Sequence, residues 1–182
     1  EQAKVKLEAR KEIAQARVQK LRRKNQVVRS SEKETIENAD GSMTELITIE
    51  FENERTGVMR NVTRSHTTMD GKLVSSFWTL DTTGPNGYAR NAERTVEVAE
   101  DGTRTVTTEV NTTFPDGRTR TRSEERVIDA EGNATGSGVI TIKIGNGTSK
   151  TFEYGVTVAA SGETVVESED GDLEVSVVDD GE

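Results

Sequence analysis

The chain has no cysteine, which removes disulfides and thiolate-bound metals from any account of its stability or chemistry. It has one histidine, His66. Those two scarcities leave the usual nucleophile–base pairs and transition-metal centres without their residues. His66 directly follows Ser65, and neighbours on a strand point to opposite faces, so this pair does not read as catalytic. Aromatics make up 4 % of the chain, too few to line a sugar cleft between two of its 33 carboxylates, which therefore read as solvated surface charge. An enzyme is not expected, and neither is a cofactor. No apolar run approaches the roughly 18 residues of a transmembrane helix.

Proline is also scarce, at two residues, and Val, Ile, Leu and Phe together number 38 of 182. The second figure lies near the level of about 20 % at which chains stop packing a core. The first opposes disorder. The 25 Thr and 20 Val favour half-exposed pleated strands. Together they describe a β-rich fold with a thin core, one inclined to lean on neighbours.

Turn signals are what the chain has in abundance. Asp40-Gly41, Thr56-Gly57, Asp70-Gly71, Gly84-Pro85-Asn86-Gly87, Asp101-Gly102 and Asp116-Gly117 are followed by Glu131-Gly132-Asn133, Gly145-Asn146-Gly147, Ser161-Gly162 and Asp170-Gly171. All but the last step span 14 to 16 residues. Asp-Gly and Asn-Gly supply the positive φ angles of tight hairpins, and strands joined by such short turns must be antiparallel. The spacing predicts a meander of about ten long strands over residues 25–182. It would form a single extended sheet or a two-layer one, with a closed barrel as the alternative. Alternation in Ile47/Ile49/Phe51, Val106/Val110, Ile140/Ile142/Ile144 and Phe152/Tyr154/Val156/Val158 predicts one apolar face. The stretch "RTRTRSEER" at 118–126 has no apolar face, and its arginines are expected to pair with Glu and Thr of adjacent strands.

Residues 1–24 differ from the rest. They contain neither Gly nor Pro and are rich in Ala, Lys, Glu, Gln, Arg and Leu, all good helix formers. Leu7, Ala14 and Leu21 recur every seven residues and Val18 joins their face, which predicts a basic helical arm ending in Arg22 and Arg23. Residues 1–30 carry ten Lys or Arg against three Glu, while residues 131–182 carry two Lys against eleven acidic residues. A basic arm and an acidic sheet attract, within one chain or head to tail between chains. The chain as a whole is acidic and lacks an aromatic platform beside the basic run, so no nucleic-acid partner is expected.

Three smaller features complete the reading. "ESEDGD" and the terminal "DDGE" offer Glu167, Asp170 and Asp172 as weak calcium candidates. Asn-x-Thr triplets begin at Asn61, Asn111, Asn133 and Asn146, acceptors only on a eukaryotic secretory route. Trp78 with Phe77, and Tyr88 beyond the next turn, form the one aromatic concentration, either a local core or a contact site for a glycan or protein. The segment "VIDAEGNATG" has the flavour of YD-repeat shells, but the other turns lack the aromatic before the Asp, so no family is assigned. The start at Glu1, the Thr/Gly/Asp-rich strands and the missing cysteine suggest a secreted or cell-surface protein. The expected function is structural: a self-associating subunit, up to a filament, with the arm docked between subunits. The alternative is an adhesin-like or fibre-type binding module.

Overall fold

The computed structural model describes residues 26–145, 147–161, 163–168 and 175–178. The expected helical arm, with Leu7, Ala14, Val18, Leu21, Arg22 and Arg23, lies outside the described residues. The described chain forms β1 Gln26–Glu37, β2 Met43–Asn53, β3 Val58–Met69, β4 Lys72–Thr83, β5 Ala89–Val98 and β6 Arg104–Thr113. β7 Thr119–Ile128, β8 Ala134–Lys143, β9 Ser149–Val158, β10 Glu163–Ser168 and β11 Val175–Val178 complete it. Each strand pairs antiparallel with its sequence neighbours, in the order β1 to β11. The meander expectation holds. β1 and β11 do not pair, so the sheet is open and the barrel alternative is corrected. No second sheet packs on it among the described residues, so the two-layer alternative goes too.

The turns explain the regularity. Ala99, Phe114, Asp129 and Ile144 each donate their N–H to the carbonyl four residues ahead and accept from the glycine three ahead. Those glycines, Gly102, Gly117, Gly132 and Gly147, all have φ between 81° and 97°, the region where an added Cβ costs most. This is the three-residue hairpin with a glycine bulge, repeated every 15 residues. Asp101, Asp116 and Asp129 each accept a backbone N–H from two or four residues ahead, which closes the turn with a side chain. These bonds hold the carboxyls below their usual range. The largest contribution comes from the Thr103 N–H for Asp101, the Arg118 N–H for Asp116 and the Asn133 side-chain amide for Asp129.

The core is as thin as the composition implies. The buried apolar side chains are Ala92, Val106, Ala134 and Val156, with Thr82 and Glu124 buried among the polar strand residues. The strand register places all six on one face of the sheet. They are small or flat residues shaded by larger neighbours on the same face; Ala92, for example, lies between Leu80 and Val110. Among the described residues no second layer lies above these side chains, and Phe152 on that face stays 50 % exposed.

Candidate functional site

Cross-strand partners share a face, so the register sorts every strand residue onto one of two surfaces. Ile47, Arg64, Trp78, Arg94, Thr108, Glu124, Gly138 and Tyr154 form one continuous row across β2 to β9. Its face, the arginine face, carries Lys33, Arg60, Arg64, Arg90, Arg94, Arg104, Arg120, Arg122, Arg126 and Lys150. Among the described strand residues only Glu37, Glu45 and Glu124 oppose them there. The expected apolar residues of β2, β6, β8 and β9 share this face.

The other surface, the threonine face, holds most strand threonines and the acids Glu32, Glu34, Glu50, Glu52, Asp81, Glu93, Glu97, Glu109, Glu125, Glu153 and Glu167. Lys72 and Lys143 are its strand cations in regular register, and Arg29, in the β1 bulge, ion-pairs with Glu52 at 2.7 Å. Asn91 donates to Asp81 at 2.6 Å and the Thr141 and Thr151 hydroxyls meet at 3.1 Å, polar pairs of the kind that hold an exposed face. Glu93 and Glu109 stand directly opposite each other, a like-charge arrangement that disfavours the isolated sheet.

Trp78 occupies the middle of β4 on the arginine face, half-buried, with Arg64 directly opposite on β3 and Arg94 on β5. Arg64, His66, Ser76, Trp78, Arg94 and Val96 line a shallow depression there. Ser65 and His66 point to opposite faces, pairing with Phe77 and Ser76 respectively. Tyr88 does not join Trp78. It lies at the rim, some 20 Å away at the rise of a strand, edge-on to Phe114 with ring centroids 6.4 Å apart. Arg118 covers Phe114 at 5.4 Å. The aromatic concentration expected from the sequence is therefore two separate places.

A second cluster was not foreseen. Glu124 on β7 is 5 % exposed and receives the Tyr154 hydroxyl at 2.6 Å and an Arg122 guanidinium N–H. Arg126 Nε lies 2.5 Å from its other oxygen, with its N–H aimed off the hydrogen-bond direction. Burial raises the Glu124 carboxyl, but the Tyr154 hydroxyl and the two guanidinium groups outweigh it, and the net direction is below the usual glutamate range. Burial, and then the bond to Glu124, push the Tyr154 phenol up. Gly138 lies between them on β8, and a Cβ there would clash with the far end of the Tyr154 ring.

Of the expectation that the 118–126 arginines pair with Glu and Thr of adjacent strands, the Thr part holds for Arg120, opposite Thr112, and the Glu part is corrected. Arg120, Arg122 and Arg126 face Thr112 and Ile142, Val110 and Ile140, and Val106 and Gly136. Their alkyl stems have apolar partners to lie on, and the acid is Glu124 of the same strand. The missed signal is numerical parity. The glycine-bulge hairpin pairs residues whose numbers sum to an even value, so from β5 to β10 even numbers share the arginine face and odd numbers the threonine face. Every arginine from Arg60 to Arg126 has an even number.

Glu167 is exposed on β10, while Asp170 and Asp172 lie outside the described residues. Among the described residues no group of three or more His, Asp or Glu is arranged to hold a metal ion. No described helix is long and apolar enough to cross a membrane. The architecture is that of an open antiparallel meander with one basic-apolar face and one acidic-hydroxyl face. No family model, no curated protein and no solved structure matches the chain.

Proposed function

We infer that this chain is a non-enzymatic structural protein of the cell exterior that associates with copies of itself, up to a filament. The observation that carries the reading is an extended sheet with apolar groups on a face that no other described residue covers: Phe152, Ile142 and Leu73 remain exposed beside the arginines. Ile142 and Phe152 stand on neighbouring strands of that face, an apolar pair suited to burial against a partner. The basic arm, residues 1–24, adds a cationic element suited to the acidic surface of a neighbour. Secretion rests on composition: no cysteine, and strands rich in Thr, Gly and Asp.

Sedimentation velocity over a concentration series, with negative-stain microscopy, tests this on the full chain and on one lacking residues 1–24. The full chain is expected to form particles that grow with concentration and shrink with salt, and the shortened chain to remain small. Monomers in both samples at high concentration and low salt would end the reading.

A binding module is the second reading, and the Trp78 depression is what favours it. An indole flanked by Arg64 and Arg94 suits a carboxylated or sulfated sugar, the ring stacking and the guanidinium groups pairing with the acid. A glycan array read with the parent chain and Trp78→Ala separates it: retained acidic glycans lost on substitution would favour binding over assembly.

A further inference from the structure

The self-association reading says nothing of which surfaces meet, and the register supplies an answer. The two faces of the sheet are complementary in charge and similar in outline. Arg64, Arg94 and Arg120 make no ion pair among the described residues, and neither do Glu93, Glu109 and Glu125. Strands β1 to β9, ten to twelve residues each, span roughly 34 Å by 38 Å, or about 1,300 Å² on each face. A stable interface needs about 800 Å² per partner, so two copies overlapping over two thirds of a face suffice.

The β1 edge fits worse. β1 interrupts its ladder with a bulge between Val28 and Ser30 and carries Lys33 and Glu34 in the middle, devices that discourage strand addition. Joining two arginine faces would bury apolar groups but would set ten cations against ten. Joining two threonine faces would repeat the Glu93–Glu109 conflict across the interface.

We propose that copies of this chain stack face to face, the arginine face of one on the threonine face of the next. The contact rests on the self-association reading and deepens it. It is heterologous: each subunit offers both halves of the joint, so the stack has no built-in end. Opposed Glu93 and Glu109 gain a cationic cover, and Phe152 and Ile142 gain threonine methyl groups. Sheets stack about 10 Å apart, close enough for long Arg and Glu side chains to meet.

Two full-length charge variants test it, Arg64→Glu/Arg94→Glu and Glu93→Lys/Glu109→Lys, each first matched to the parent by circular dichroism and thermal midpoint. All four positions are exposed. Each variant alone sets like charges against one another at the middle of the joint, and its assembly threshold is expected to rise at least about tenfold. Mixed in equal amounts, the two complement at both joints and the threshold should fall back toward the parent value. If the arginine-face variant stops assembly while the threonine-face variant assembles normally, arginine faces meet each other and the stack is wrong. If neither variant changes assembly, the contact lies at the edges or the arm; the stack is wrong and self-association survives. If the parent itself never assembles, both inferences fall together.

Discussion

Tyr154 on β9 reaches across Gly138 on β8 to donate a 2.6 Å hydrogen bond to Glu124 on β7. One bond therefore ties three consecutive strands on a face with no layer above it among the described residues. The carboxylate is the most deeply placed charge in the described sheet, and it is tolerated because the phenol and two guanidinium groups surround it. In a fold with so few buried apolar groups, such a clasp carries an unusual share of the stability.

Tyr154→Phe keeps the ring over Gly138 and removes the donor. Leaving a buried carboxylate short of one partner costs about 1–3 kcal/mol, read as a lower urea midpoint with an unchanged slope. A loss below about 0.5 kcal/mol would mean that water replaces the phenol.

Gly138→Ala acts on the same clasp from below, because its Cβ would occupy the space of the tyrosine ring. Overpacking of this kind costs about 1–3 kcal/mol. In a Tyr154→Ala background the same substitution should be nearly neutral, since the obstacle is gone, and a double-mutant cycle in urea measures the coupling. Equal costs in both backgrounds would show that the ring does not depend on the glycine.

Acid should weaken the sheet. Glu124, Asp40, Asp101, Asp116 and Asp129 all have carboxyls held below their usual values. A depressed acid contributes stability that is complete above its unfolded pKa and is lost as pH falls through the folded one. The loss thus starts below about pH 4.5, the ordinary glutamate value. Tyr154 has the opposite sense: its raised pKa stabilises the fold below about pH 10 and that contribution fades at higher pH. Thermal midpoints across pH should form a plateau between these limits, and Tyr154→Phe should remove the alkaline decline that this phenol contributes.

The turn glycines give a fourth test. Gly117 has φ of +81° and open space around it, so Gly117→Ala suffers only from its backbone angle, about 1–2 kcal/mol. Gly117→Asn should cost less, because Asn tolerates that region. Chemical denaturation ranks the three chains, and Ala at or above Asn in stability would contradict the turn geometry.

The strands and their turns were legible because most turns carry Asp or Asn beside a glycine whose positive φ the hairpin demands. The apolar face was legible at Ile47, Ile49 and Phe51 from alternation alone. The charge sorting was present as well, since every arginine from Arg60 to Arg126 has an even number, but reading it requires knowing that the glycine-bulge hairpins preserve parity. Arg122 was expected to find its acid on a neighbouring strand for want of that rule. Tyr154 and Glu124 escaped for a different reason. They lie two strands apart, and only the missing side chain of Gly138 lets them touch. Nor does the number of apolar residues in a strand reveal whether another layer will cover it.

The 15-residue period also fixes how such a chain can change length. Deleting one strand with its turn shifts every later residue by an odd number, so downstream arginines move to the acidic surface and downstream glutamates to the basic one. Deleting β6 and β7 together, a 30-residue step, leaves both strand direction and parity intact. The heritable unit of this architecture is accordingly the hairpin, and lineages that lengthen or shorten it should do so in multiples of thirty residues.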